Sequence, residues 1–155
     1  MDLSHSQKYA AEGLSTFTLT LAVSLSLLFS FPLSTPVLAA LVVGIFVYTI
    51  GGISGAHINP AVTFGMWSIK QINAREAMFY IASQCLGAGL AMLLVLSMTA
   101  TIPLVGEESA QIILGEALGA FILTFGVASV ALGKSKADAA GLVVGGSLLA
   151  GIMIA

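Results

Sequence analysis

The groups in this sequence best placed to act on another molecule are backbone groups. Gly51, Gly52 and Gly55 crowd into one short run, and Asn59-Pro60 follows directly. The glycines predict that a helix ends there, and Asn59-Pro60 predicts that another begins. Asn is a favoured N-cap, and Pro suits the first helical position, where its missing N–H would have had no partner. A helix from Pro60 to about Ile69 is roughly 15 Å long, enough to reach half-way across a bilayer, with Lys70 marking its wet end. Its N-terminus then lies near the midplane, where non-helical backbone survives only inside protein or against a water-filled cavity. The carbonyls of Gly55, Ala56 and His57 can there replace water around a passing molecule. The positive end of the half-helix and the Asn59 side-chain amide oppose cations. Such chemistry is desolvation and charge exclusion, with no bond made or broken.

Other reactive side chains are few. Glu12 and Glu116 fall inside apolar runs, and an intramembrane carboxylate is a functional candidate by default. The two could carry protons as a pair, or each could accept hydrogen bonds and hold a loop in place. His57 has no second His or carboxylate at ligand spacing, so it reads as bracing or lining the loop, and no metal or cofactor is expected. Cys85 is the single cysteine; it cannot form an intramolecular disulfide or a zinc cluster, and its apolar setting predicts a small buried residue. No Ser, Cys or carboxylate arrangement typical of catalysis is present, so an enzyme is not expected.

These residues must be positioned inside a membrane. Of 155 residues 58% are hydrophobic and 8% charged, with a mean hydropathy of +1.07, whereas a soluble domain carries about 25% charge. A net charge of −2 and the lack of a basic patch argue against a nucleic-acid partner. Spanning takes about 20 mostly apolar residues. Such segments run from Tyr9 to Phe29, from Pro36 to Ile50 before the glycines, and from Ala74 to Met98; two more run from Ser109 to Leu132 and from Ala139 to Ala155. Asn73 with Glu76 three residues on is a capping-box pattern at the start of the third. Lys8, Lys70, Arg75, Lys134 and Lys136 all fall on one side of this arrangement, and the opposite connections hold only Glu107 and Glu108. The positive-inside rule then puts the N-terminus in the cytoplasm. Trp67 and the Phe29–Phe31 cluster read as interfacial anchors, and Gly51/Gly55, Gly115/Gly119 and Gly141/Gly145 as small-residue pairs for close helix packing.

The sequence also repeats itself. Glu12, Leu14, Phe17, Leu19 and Thr20 recur as Glu116, Leu118, Phe121, Leu123 and Thr124 at an offset of 104. Leu41-Val42-Val43-Gly44 recurs as Leu142-Val143-Val144-Gly145 at an offset of 101. An odd number of spans separates the copies, so the second must be inverted, the pattern of channels and transporters with a midplane site.

The stretch Ser54-Gly55-Ala56-His57-Ile58-Asn59-Pro60-Ala61-Val62-Thr63 closely resembles the first Asn-Pro-Ala loop of the aquaporin and aquaglyceroporin family. The resemblance continues in Ala11-Glu12-Gly13, Ile81-Ala82-Ser83-Gln84-Cys85-Leu86-Gly87-Ala88 and Gly115-Glu116. It implies an all-α membrane protein with an aquaporin-like inverted repeat, here five transmembrane helices and one re-entrant half-helix. Residues 1–101 would form the first repeat and 102–155 part of the second. The resemblance implies a passive channel for water or small uncharged solutes that excludes ions, in the plasma membrane, with homotetramers as the family's assembly. Asn59, with Pro60 and Ala61, would donate its amide to the permeating molecule, and Gly55, Ala56 and His57 would offer carbonyls. Glu12 and Glu116 would be buried and would brace two re-entrant loops. Ala39 and Leu148 fall at filter positions where water-selective members often carry an aromatic and a His, so a wider, glycerol-permissive filter is expected. Gly52 also stands where a His is common.

The offset of 101 puts a second Asn-Pro-Ala near position 160, beyond Ala155. A fragment of a longer channel is therefore expected rather than a naturally short protein. Two other readings are a chain that conducts nothing by itself and a secondary transporter with broken helices.

Overall fold

The computed structural model of the chain describes residues 4–99 and 109–155. The expected connection at 101–108 with Glu107 and Glu108, and the boundary between the two repeats, lie outside the described residues. All regular structure among the described residues is helical: α1 (His5–Leu28), α2 (Thr35–Ser54), α3 (Pro60–Ser68), α4 (Ala74–Met98), α5 (Ala110–Ala131) and α6 (Ala140–Ile154), the last entered through a short 3-10 turn (Ala137–Ala139). Five of these segments are long and apolar enough to cross a membrane. The exception is α3, whose 9 residues span only about 14 Å.

The second helix is longer than the glycine run predicts. Gly51 and Gly52 stay helical, and α2 ends only at Ser54, where Gly55 adopts a left-handed φ of 88°. Glycine weakens a helix without stopping it; the stop comes where the chain needs a positive φ. Gly51 and Gly55 therefore do not form a helix-packing pair, since a Cβ at Gly51 would meet nothing within 4 Å. The Asn73 capping box is half-formed. Asn73 accepts from the Glu76 N–H at 2.9 Å, but the Glu76 carboxylate bonds the Lys8 ammonium at 2.9 Å instead of returning to the cap.

Contacts fix the helix directions. Lys8 meets Glu76, Gly13 meets Ser83 and Ser24 meets Met92, so α1 and α4 run parallel. Tyr48 reaches Asp138, Gly44 faces Gly141, and Gly145 faces Ala40, so α2 and α6 run antiparallel. Gly119 against Gly151 and Gly115 against Ala155 make α5 and α6 antiparallel as well. With α1 and α2 a hairpin tied by Ser26 to Thr35, the α5–α6 pair is the α1–α2 pair turned upside down. The pseudo-twofold passes through the α2–α6 crossing. There a Cβ on Gly44 would lie 2.9 Å from the Gly141 carbonyl, and one on Gly145 would lie 2.6 Å from the Ala40 carbonyl. These contacts exchange under the offset of 101. All five basic residues gather at one end of the bundle, here called the basic end.

Polarity is distributed for lipid. Leu14, Leu90, Phe121 and Leu142 are exposed, whereas Glu12, Ser15, Thr63 and Gln84 are fully buried. The short α3 is seated by Val62 and Met66 against Val43, Leu123, Val127 and Val144, and by Gly65 against the Thr124 methyl. In lipid these contacts stabilise through close packing more than through removal from water. Cys85, expected to be buried, is exposed on α4, because it lies one position beyond Gln84 on the helix and turns away from the interior.

Candidate functional site: the loop at residues 55–59

The loop between α2 and α3 is backbone held by one carboxylate. Glu12, in α1, is fully buried. Its Oε1 accepts from the Ser54 hydroxyl at 2.6 Å and the His57 N–H at 3.0 Å. Its Oε2 accepts from the Ile58 N–H at 2.7 Å and the Gln84 side-chain amide at 2.8 Å. A carboxylate taken from water is tolerated where its lone pairs are filled in this way.

The same bonds hold an unusual backbone. Ala56 and Ile58 have φ values of 50° and 57°, costing on the order of 1–3 kcal/mol each for residues that carry a Cβ. Ile58 is secured at both ends of its peptide unit: its N–H goes to Glu12, and its carbonyl accepts from Thr16 Oγ1 at 3.2 Å. The Ser54 hydroxyl also accepts the Ala56 N–H at 3.1 Å, and the Ser54 carbonyl accepts from the Tyr80 hydroxyl at 2.7 Å. A side-chain relay continues behind the loop: the Gln84 amide donates to Thr63 Oγ1 at 2.9 Å, and His57 Nδ1 lies 3.2 Å from that same oxygen. His57 is thus packed inward, 6% exposed, with its ring edge-on to Tyr80.

With the N–H groups of His57 and Ile58 turned toward Glu12, the carbonyls of Gly55, Ala56 and His57 accept no hydrogen bond from any described residue. Those three residues line a cavity of about 360 Å³ at the basic end, walled by Val47, Met66, Val127 and Val144. Asn59 opens onto a second cavity, of about 250 Å³, together with Leu148 and Glu116. Its Oδ1 caps α3 by accepting the Ala61 N–H at 2.7 Å, which leaves the amide hydrogens without a partner among the described residues. Pro60 occupies the first helical position, and Ala61 is exposed beside it. The apolar cluster around Val62 and Val144 borders both cavities.

Two expected site residues stand apart. Ala39 is 3% exposed and is among the lining residues of neither cavity. Glu116, expected to be buried, is exposed on the second cavity; no described backbone segment reaches it as residues 54–58 reach Glu12. Sequence reasoning missed Gln84, Thr63, Tyr80 and Thr16 as parts of the support. Their signal was a polar side chain inside an otherwise apolar helix, and Gln84 is the plainest case.

Fold and loop together define a polytopic helical membrane protein built on an inverted repeat, with a loop and a short helix set between two long spans. The chain belongs to the major intrinsic protein family, whose profile matches residues 2–155. Among its relatives, a probable aquaporin AqpM of Archaeoglobus fulgidus is 41% identical across 68% of this chain and 48% of its own length. Aquaporin AqpM of Methanothermobacter marburgensis is 36% identical across 64% of this chain and 45% of its own length. A probable aquaporin PIP1-5 of Arabidopsis thaliana is 57% identical over a shorter stretch, 27% of this chain and 15% of its own length. The chain thus matches about half the length of the archaeal relatives.

Proposed function

We propose that this chain builds a passive transmembrane channel for water and small uncharged solutes, and that residues 55–59 form its narrow part. The observation that carries this reading is that Gly55, Ala56 and His57, whose carbonyls accept no hydrogen bond from a described residue, line one cavity, while Asn59, whose amide hydrogens have no described partner, lines the next. A neutral molecule moving along this line would exchange water for carbonyl acceptors and then for amide donors. A cation would meet the N-terminal end of α3 and those same amide hydrogens, which oppose it. Glu12 acts as the brace for the loop, and Glu116 is assigned the corresponding role toward a second loop. Ala39 and Leu148 are assigned to the filter, where the lack of an aromatic and of a His favours passage of glycerol-like solutes beside water. Residues 1–101 make the first repeat and 102–155 belong to the second. We assign the N-terminus to the cytoplasm on the positive-inside rule, the channel to the plasma membrane and the assembly to a homotetramer.

The test is stopped-flow light scattering on proteoliposomes containing the 155-residue chain, with water and glycerol gradients in parallel. Faster shrinkage than empty liposomes, followed by glycerol entry, is the expected result. Permeability equal to empty liposomes with correctly inserted protein would refute conduction by this chain.

A further inference from the structure

The ends of α1 and α4 carry a polar pocket that the loop and its cavities do not use. It measures about 270 Å³ and is lined by His5, Tyr9, Asn73, Arg75, Glu76 and Phe79. The rings of His5, Tyr9 and Phe79 stack in a column, with centroids 6.1 and 5.1 Å apart. The Arg75 guanidinium sits 6.0 Å from the Phe79 ring centre. Two charges in this region cancel, since Lys8 and Glu76 are paired at 2.9 Å. Arg75 has no carboxylate partner among the described residues, and its exposed guanidinium stands beside aromatic faces of the pocket.

Tyr9 also lines the head of a second cavity. That cavity is a groove of about 480 Å³ running down the seam of α1 and α4 past Gly13, Leu14, Ser83, Leu86 and Leu90. The groove exists because Gly87 lies against the Gly13 carbonyl and draws the two helices together, while Leu14, Leu86 and Leu90 stand out on either side, each more than half exposed. From Phe79 to Leu90 the helix rises about 16 Å, close to the hydrocarbon depth of one leaflet, half of about 30 Å.

We propose that the α1–α4 seam is a binding site for one anionic phospholipid. Its phosphate lies on Arg75 among the rings of Tyr9 and Phe79, and one acyl chain lies in the groove below. Three properties point to a lipid over a second copy of the chain: the polar pocket and the apolar groove share Tyr9 as a wall, the groove has the length of one leaflet, and an exposed guanidinium without a carboxylate partner among the described residues stands at the groove's polar end. A planar guanidinium binds a phosphate oxygen pair bidentately, which selects an anionic headgroup over a zwitterionic one whose phosphate carries its own counter-charge.

The full chain is purified in mild detergent, stripped of lipid, and titrated with phosphatidylglycerol or with phosphatidylcholine of the same acyl chains. Bound lipid is counted by native mass spectrometry. The expected result is one tightly held phosphatidylglycerol per chain, preferred over phosphatidylcholine by about five- to tenfold. Arg75→Gln should erase the preference, Arg75→Lys should keep part of it, and Lys134→Gln, at the same end but away from the groove, should leave it intact. Leu14→Trp, which fills the groove, should weaken both lipids, and soluble glycerol phosphate should not compete. Gel filtration and thermal unfolding verify that each variant is folded. Equal retention of both lipids, an equal loss in Lys134→Gln, competition by glycerol phosphate, or a dimer that excludes lipid from the groove would each overturn the proposal.

Discussion

Replacing Glu12 by Gln changes one oxygen to an NH2 group with almost no change in volume, so its effect isolates hydrogen bonding. Each carboxylate oxygen accepts from two donors: Ser54 and His57 on one, Ile58 and Gln84 on the other. In Glu12→Gln one oxygen keeps its pair, and the other pair faces hydrogens. Two buried donors lose their acceptor, at about 1–3 kcal/mol each, for a total of about 2–6 kcal/mol. Gln84 could turn its amide to offer oxygen to the new NH2, but its own NH2 would then leave Thr63 Oγ1, to which it now donates at 2.9 Å. If Oε2 is the oxygen lost, Ile58 is released from the bond that offsets its φ of 57°, and the loop relaxes. Thermal unfolding of the full chain in detergent should move down by at least about 4 °C, at 2–4 °C per kcal/mol for a chain of this size. Hydrogen exchange at the amides of residues 57 and 58 should accelerate. A variant that melts within about 2 °C of the parent and keeps both amides protected would refute the assignment of Glu12 as the brace.

Three further outcomes follow from the geometry. Gln84→Leu leaves Oε2 of Glu12 with one donor and Thr63 without its amide; it should cost about 1–3 kcal/mol, seen as a lower melting temperature, and should speed exchange at residue 58. Gly87→Ala drives a methyl into the Gly13 carbonyl and should destabilise by about 1–3 kcal/mol, whereas Gly89→Ala, two residues along with open space around it, should stabilise by up to about 1 kcal/mol, both read by thermal unfolding. Asn59→Asp keeps an equally good N-cap, so stability should stay within about 0.5 kcal/mol; because it replaces two amide hydrogens with negative charge beside the cavity, cation leak in proteoliposomes should rise and water permeability should fall.

Local signals carried most of the fold. The start of α4 was legible because Asn73 caps it, and the half-helix was legible because Asn59-Pro60 starts it. What misled was reading glycine by count. Gly51 and Gly52 are helical in open space, Gly55 bends the chain, and Gly13 and Gly87, never singled out as a pair, lie against each other between α1 and α4. Composition cannot separate these uses, because each depends on what lies opposite. The two glutamates show the same limit. They occupy matching places in the repeat, yet Glu12 is buried and Glu116 exposed, since burial depends on a loop that must fold back over the carboxylate. Gln84 drew notice only as part of a resemblance, because a single amide in an apolar helix shows its partner only once the helices are assembled.

The position of Glu12 in the chain has a consequence for biosynthesis. It is made before every donor that later surrounds it; Ser54 follows 42 residues on and Gln84 follows 72 residues on. While α1 is alone in the translocation machinery it carries a bare carboxylate, which opposes insertion. Among the five spans α1 is also the least apolar, and α2, directly behind it, is the most apolar. The two are therefore suited to enter the bilayer as a hairpin, with the end of α2 delivering the Ser54 hydroxyl and the amides of residues 57 and 58 to the waiting acid. Gln84 arrives last and closes the site. The brace of the finished loop is thus satisfied only when α1, the end of α2 with its loop, and α4 have come together.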